Sequence, residues 1–254
     1  MAYSAIAVAM GVSTLVAGLE RTSFLSSVTG QGGESVSTSL VPGIEVSELA
    51  RYVGKGVNAP ATTARPTLDS GVNHPRIEKW VQRLTTSLKG DFKQSLDRMG
   101  RYDEMILAKL DARQMPRQLI YLAMIESNFN PTARSRVSAV GLWQFMSGTA
   151  RQFGLTVRRG TDERKDPAKA TDAALSYLSN LHDRFGSWYL AAAAYNSGEG
   201  TVSRALKKVT GRTQGTDADF FRILSSLPRE TQDYVPKLIA SARVGSDRGK
   251  YGMN

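Results

Sequence analysis

From residue 75 onward, apolar side chains recur at three- and four-residue spacing in short blocks closed by glycine or proline, the signature of packed helices. Ile77, Trp80, Val81, Leu84 and Leu88 form a first stripe that ends before Gly90. Phe92, Leu96, Met99, Met105, Ile106 and Leu110 form a second, with a break expected at Gly100. The spacing puts both stripes, Trp80 included, on core-facing surfaces. A third block opens at Pro116 and ends at Asn130-Pro131, because the residue before proline avoids the helical region. A loop over 132–139 and the run G-L-W-Q-F-M lead to a short helix closed by Gly154, followed by a loop of mixed charge over 155–165.

Asp166 and Pro167 supply an N-cap and a first-turn proline for a strong helix that Gly186 stops. Ser187 caps the next, W-Y-L-A-A-A-A-Y-N, whose four alanines allow another helix to approach closely and place it centrally. Residues 201–208 and 218–224 read as short helices, and 228–243 as a last one that Pro236 kinks or restarts. Strand signals are scarce, so the expected fold class is mainly α.

Ahead of residue 73 the pattern changes. Residues 1–19 hold no charged side chain. They read either as an export signal or anchor, or as a retained segment that packs on a membrane or a protein partner. No basic residue precedes the apolar run, and Gly11, Ser13, Thr14 and Gly18 interrupt it. Residues 20–72, rich in Ser, Thr, Gly, Val and Pro, read as a poorly structured linker with a short helix around 46–53. The expected organisation is an apolar segment (1–19), a linker (20–72) and one helical domain (73–254).

Charge adds one point. The chain carries a net charge of +10, yet residues 1–74 hold four basic and five acidic side chains, so the excess belongs to the helical part. Such a surface attracts polyanions: nucleic acid, an anionic membrane, or a wall polymer. Nucleic-acid binding would rest on charge alone and is not expected. The absence of cysteine excludes disulfides and thiolate metal sites.

The chemistry centres on Glu126, the one acid in the third block. Leu119, Leu122 and Ala123 precede it by seven, four and three residues, so the carboxyl shares their apolar face. Partial desolvation there raises its pKa and suits a proton donor, unless the side chain only marks a helix end and points to water. His74 and His182 lie far apart without ligand spacing, so no metal site, cofactor or Ser-His-Asp set is expected. A carboxyl mechanism on a glycosidic bond remains.

Four motifs then occur in order: Glu126-Ser127; Gly141-Leu142-Trp143-Gln144; Ala194-Tyr195-Asn196-Ser197-Gly198; and Glu230-Thr231-Gln232-Asp233-Tyr234-Val235-Pro236-Lys237. In order and spacing they resemble the lytic transglycosylases with a soluble-lytic-transglycosylase domain, most of all the membrane-bound D group. The resemblance covers about residues 73–243. It implies a lysozyme-like catalytic domain of the goose-type or soluble-lytic-transglycosylase kind, acting on peptidoglycan glycan strands in the periplasm or cell envelope. It makes Glu126 the catalytic acid and then base, and Ser127, Gly141, Gln144, Tyr195, Asn196 and Tyr234 substrate-binding residues. Trp143 stands where several relatives have methionine, and is equally a cleft wall or a core residue. The implied product is a 1,6-anhydro-muramoyl end formed without a second carboxylate. Asp162, Glu163 and Asp166 are the acids a hydrolase would draw on instead. A hydrolase, and a structural or ejection component of a phage virion or envelope machine, are the alternatives left standing.

Overall fold

The computed structural model describes residues 66–69 and 71–253. The calls for residues 1–19, and for the linker up to residue 65 with its short helix, lie outside the described residues. The rest is mainly α, as the spacing predicts. The first three helices are α1 (Pro75–Thr85), α2 (Lys89–Met99) and α3 (Asp103–Ala112). A 3-10 turn (Arg117–Leu119) leads into α4 (Ile120–Ser127), and α5 (Ser147–Gln152) follows. After β1 (Val157–Arg158), β2 (Thr161–Asp162) and a 3-10 turn (Glu163–Lys165) come α6 (Pro167–Phe185), α7 (Trp188–Ser197), α8 (Glu199–Thr210) and α9 (Asp217–Ile223). A last 3-10 turn (Leu224–Ser226) precedes α10 (Arg229–Ser246). The loop expected at 155–165 thus holds a two-residue antiparallel ladder, with Val157 opposite Asp162.

The caps act as their chemistry dictates. Asp166 accepts from the backbone N–H groups of Ala168 and Lys169 at the start of α6, and Gly186 ends that helix at φ 73°. Ser187 accepts from Leu190 N–H at the start of α7. Gly90 lies inside α2, whose N-cap is Leu88, so the first stripe ends earlier than its spacing suggests.

Helix α7 is the centre. Tyr189 through Ala194 are all fully buried, and the small alanine side chains let α6, α8, α9 and α10 pack around it. Helix α10 runs along α1 and crosses α7 and α4. It continues through Pro236 because Thr231, Tyr234, Val235, Leu238 and Ile239 are buried, which outweighs the one lost backbone hydrogen bond. Order begins ahead of α1: Leu68 is fully buried, and its carbonyl accepts from the Tyr189 hydroxyl at 2.6 Å. Arg243 forks onto Asp69 at 2.9 Å through two nitrogens and reaches Glu78 at 2.7 Å. These contacts tie Leu68 to α7 and Asp69 to α10, both residues of the expected linker. Among the described residues, no helix is long and apolar enough to cross a membrane.

The approach of α10 to α4 depends on Gly245, where an added Cβ would stand 2.4 Å from the hydroxyl oxygen of Tyr121. Tyr121 is itself in the core and has little room to yield. Gly245→Ala is expected to destabilise the protein by about 1–3 kcal/mol, read as a lower midpoint in thermal or urea unfolding.

Candidate active site

Glu126 lies in the last turn of α4. That helix ends at Ser127 rather than at Asn130-Pro131, because Asn128 and Phe129 both adopt left-handed conformations, with φ 52° and 57°. The Asn128 N–H returns to the Met124 carbonyl at 2.8 Å. The strained Phe129 backbone is held by burial of its ring, which is 1% exposed. The turn leaves the Glu126 side chain half-buried beside the negative end of the α4 dipole, where ionisation is disfavoured.

The Tyr234 hydroxyl, from α10, donates to Glu126 Oε1 at 2.5 Å. Burial raises the carboxyl pKa from 4.5 to about 7, and the nearby charge of Glu230 pushes the same way. The Tyr234 hydrogen bond and the positive charge of Lys237 oppose that rise. The result is a carboxyl near the midpoint of its titration at neutral pH, able both to give and to take a proton.

The second motif forms a tight loop beside α4. Gly141 has φ 88°, and a Cβ there would stand 1.8 Å from the Arg164 carbonyl oxygen, so only glycine fits. The close approach at Gly141 is thus to the protein's own backbone. Arg164, 5% exposed, stitches the loop together by donating to the carbonyls of Ser138 (3.1 Å) and Phe145 (3.0 Å) while Asp162 holds its fork. Trp143 is core: it is fully buried, and Nε1 donates to Thr171 Oγ1 at 3.0 Å. Gln144, at φ 48°, donates through Nε2 to the Gly141 carbonyl at 2.9 Å, which leaves its amide oxygen free for a ligand.

The other sequence-predicted residues converge here. Ser127 Oγ lies 2.9 Å from the Leu142 carbonyl and joins the end of α4 to the loop. The enclosed Tyr195 hydroxyl donates to the Trp143 carbonyl at 2.7 Å. Burial raises the Tyr195 pKa, with the charge of Glu126 adding to it, which places this ring within electrostatic reach of the carboxyl. Asn196 has both ends of its amide engaged: Oδ1 accepts from Thr231 Oγ1 at 2.8 Å, and Nδ2 donates to Glu230 Oε1 at 3.2 Å. In this structure it ties α7 to the start of α10.

Two charged neighbours of Glu126, Glu230 and Lys237, carried no role in the sequence reading although both lie in its fourth motif. Their signal was present in the helical spacing around Tyr234. The loop acids are engaged elsewhere: Asp162 by Arg164, Glu163 by Lys169 and the Thr156 N–H, and Asp166 by its cap. His74 stacks on Phe221 and His182 on Trp188. Among the described residues no cluster of three or more His, Cys, Asp or Glu could hold a metal ion. A surface groove of about 800 Å³, lined by Arg184, Arg204, Lys207 and Lys208, shares no residue with the surroundings of Glu126.

Residues 104–217 match the family model of the transglycosylase SLT domain. Over 153 residues it is 39% identical to the membrane-bound lytic murein transglycosylase D of Escherichia coli K12, covering 60% of this chain and 33% of that protein. It is 32% identical over 145 residues to the peptidoglycan transglycosylase gp16 of Escherichia phage T7, covering 56% of this chain and 10% of that protein. Among solved structures, the 70 kDa soluble lytic transglycosylase of Escherichia coli superposes with a TM-score of 0.51 at 26% identity, covering 68% of this chain and 28% of that one. The chain spans about a third of the length of the D-type relative. The SLT match takes in Glu126, Ser127, Gly141, Gln144, Tyr195 and Asn196 but ends before α10, so Tyr234, Glu230 and Lys237 complete the site from beyond it.

The raised pKa of Glu126 has a consequence for stability. A carboxyl at about 7 when folded and about 4.5 when unfolded favours the fold fully below pH 4.5, and that contribution is lost as pH rises through 7. Glu126→Gln cannot ionise. It is expected to gain on the wild type by about 1–3 kcal/mol between pH 4.5 and 8, measured by urea unfolding across that range.

Proposed function

We propose that the protein is a peptidoglycan lytic transglycosylase in which Glu126 serves first as acid and then as base. The observation that carries this reading is the half-buried carboxyl held by Tyr234 at 2.5 Å with a pKa of about 7. The Escherichia coli D-type protein and the phage T7 protein to which the chain is similar are both murein or peptidoglycan transglycosylases, which agrees with it.

The neutral carboxyl donates its proton to the oxygen between N-acetylmuramic acid and N-acetylglucosamine as the C1–O bond breaks. The muramoyl N-acetyl oxygen stabilises the cationic C1. Glu126, now ionised and supported by the Tyr234 hydroxyl and the charge of Lys237, takes the proton of the muramoyl 6-hydroxyl. Its oxygen closes on C1 as a 1,6-anhydro ring. No water enters, and Glu126 ends protonated as it began. Ser127, Gly141 and Gln144 form the loop edge along which the glycan lies, with the free Gln144 amide oxygen as an acceptor for an N–H or hydroxyl of the sugar. Tyr195 and Asn196 hold that loop and α10 in place around the carboxyl. Peptidoglycan places the working protein in the periplasm or cell envelope; a phage virion is the alternative, since one similar protein is a phage transglycosylase.

A specific observation favours a second reading. Glu230 is an exposed carboxylate whose charge reaches Glu126 and whose side chain Asn196 holds, a position from which it could activate water for hydrolysis. The products separate the two: mass spectrometry of muropeptides released from purified sacculi is expected to show anhydro ends, one water lighter than the reducing ends a hydrolase leaves.

Glu126→Gln is expected to lower cleavage by at least about a thousandfold while retaining the circular dichroism spectrum of the wild type; substantial residual cleavage sinks the assignment. For the wild type, kcat/KM should fall as pH rises through about 7, where the acid form is lost. In Tyr234→Phe the hydrogen bond that favours the ionised form is gone, so that limb should move to higher pH in a pH–rate profile.

A further inference from the structure

Trp80 and Arg83 have no part in the chemistry above and Lys237 enters it only through its charge, yet the three meet on the faces of α1 and α10 that adjoin. Trp80 and Arg83 lie one turn apart on α1, and the Arg83 guanidinium carbon stands 4.4 Å from the Trp80 ring centroid. Lys237, on α10, brings its ammonium to 5.5 Å from the same ring. Trp80 packs against the core, as its spacing suggests, but is partly exposed and offers its ring to both cations. Attraction to the ring face holds each cation in place but neutralises neither. Among the described residues, neither Arg83 nor Lys237 makes an ion pair with a carboxylate. Burial lowers the Lys237 pKa, and the like charge of Arg83 pushes it the same way, while the charge of Glu126 opposes both. Two mutually repelling cations over one ring, one of them, Lys237, a turn beyond Tyr234 on α10 and within electrostatic reach of Glu126, make a site that an incoming anion relieves.

We propose that Trp80, Arg83 and Lys237 form a subsite for a carboxylate carried by the substrate, seated next to the bond that Glu126 cleaves. The inference rests on the peptidoglycan reading, since that polymer places carboxylates beside the scissile bond. In intact strands they belong to the stem peptide. In strands stripped by an amidase, the muramoyl lactyl group carries one.

The test is steady-state cleavage of both kinds of strand by Arg83→Gln and Arg83→Lys, with binding of an uncharged N-acetylglucosamine oligomer as reference. Arg83→Gln is expected to raise KM about three- to fivefold on the strand whose carboxylate is read, with kcat unchanged and a flatter dependence of KM on salt. Arg83→Lys should recover most of the loss. An effect on intact strands assigns the site to the stem peptide, and an effect on stripped strands to the lactyl group. An unchanged KM on both, or an equal loss toward the uncharged oligomer, overturns the proposal. A wild type that cleaves neither strand overturns the function itself and this inference with it, a result distinct from an active wild type and an indifferent Arg83→Gln.

Discussion

A half-buried carboxyl with no cation in direct contact among the described residues is the constraint on which this structure turns. Leaving Glu126 half out of water disfavours its charge, and a direct ion pair would restore that charge and remove the proton donor. The structure instead gives Glu126 one hydroxyl in contact and keeps the ammonium of Lys237 at longer range. A neutral donor such as Tyr234 can serve both protonation states, donating to the carboxylate or to the carbonyl oxygen of the acid. In the mechanism proposed, two abilities that normally need two residues are thereby held in one.

Keeping that arrangement requires three separate pieces of chain to stay in register. Helix α4 supplies the carboxyl, and the two left-handed residues after Ser127 end the helix where the side chain is needed. Helix α10 supplies the hydroxyl and reaches α4 because Gly245 lets Tyr121 lie against it. The 141–144 loop closes the third side, fixed by the buried fork of Arg164 and by Gly141, where no other residue fits. Helix α10 and the loop both lean on α7, where Tyr195 holds the Trp143 carbonyl and the alanine run brings α10 close enough for Asn196 to hold Thr231 and Glu230. Several polar residues of the site are thus spent on holding it together: Ser127, Tyr195 and Asn196 are tied to protein partners, and Gln144 offers one free amide oxygen.

Charge is distributed with the same economy. The loop acids Asp162, Glu163 and Asp166 are committed to Arg164, Lys169 and a helix cap, where they stabilise local turns. The charges that reach Glu126 come from α10, Glu230 raising its pKa and Lys237 lowering it. This balance depends on the face that α10 turns toward α4, which is why the segment beyond the SLT match matters as much to the site as the segment within it.

Read alone, the sequence determined most of the helices and the caps of α6 and α7, and put Glu126 forward as the candidate acid, because helical periodicity and capping are local and leave their mark within a few residues. It also brought out Tyr195, Gln144 and Tyr234 through ordered motifs. Tertiary structure decided what those residues touch. Trp80 sits on an apolar stripe and Trp143 in a loop motif, yet Trp143 is the fully buried ring, bonded to Thr171, and Trp80 packs against the core half-open beneath two cations. Gly141 meets the carbonyl of Arg164, twenty-three residues on, and Glu126 meets a hydroxyl 108 residues away. Burial, desolvation and hydrogen bonding are properties of what packs from elsewhere in the chain. Spacing along one helix cannot specify them, and they are what turn an acid at a helix end into one that titrates near neutrality.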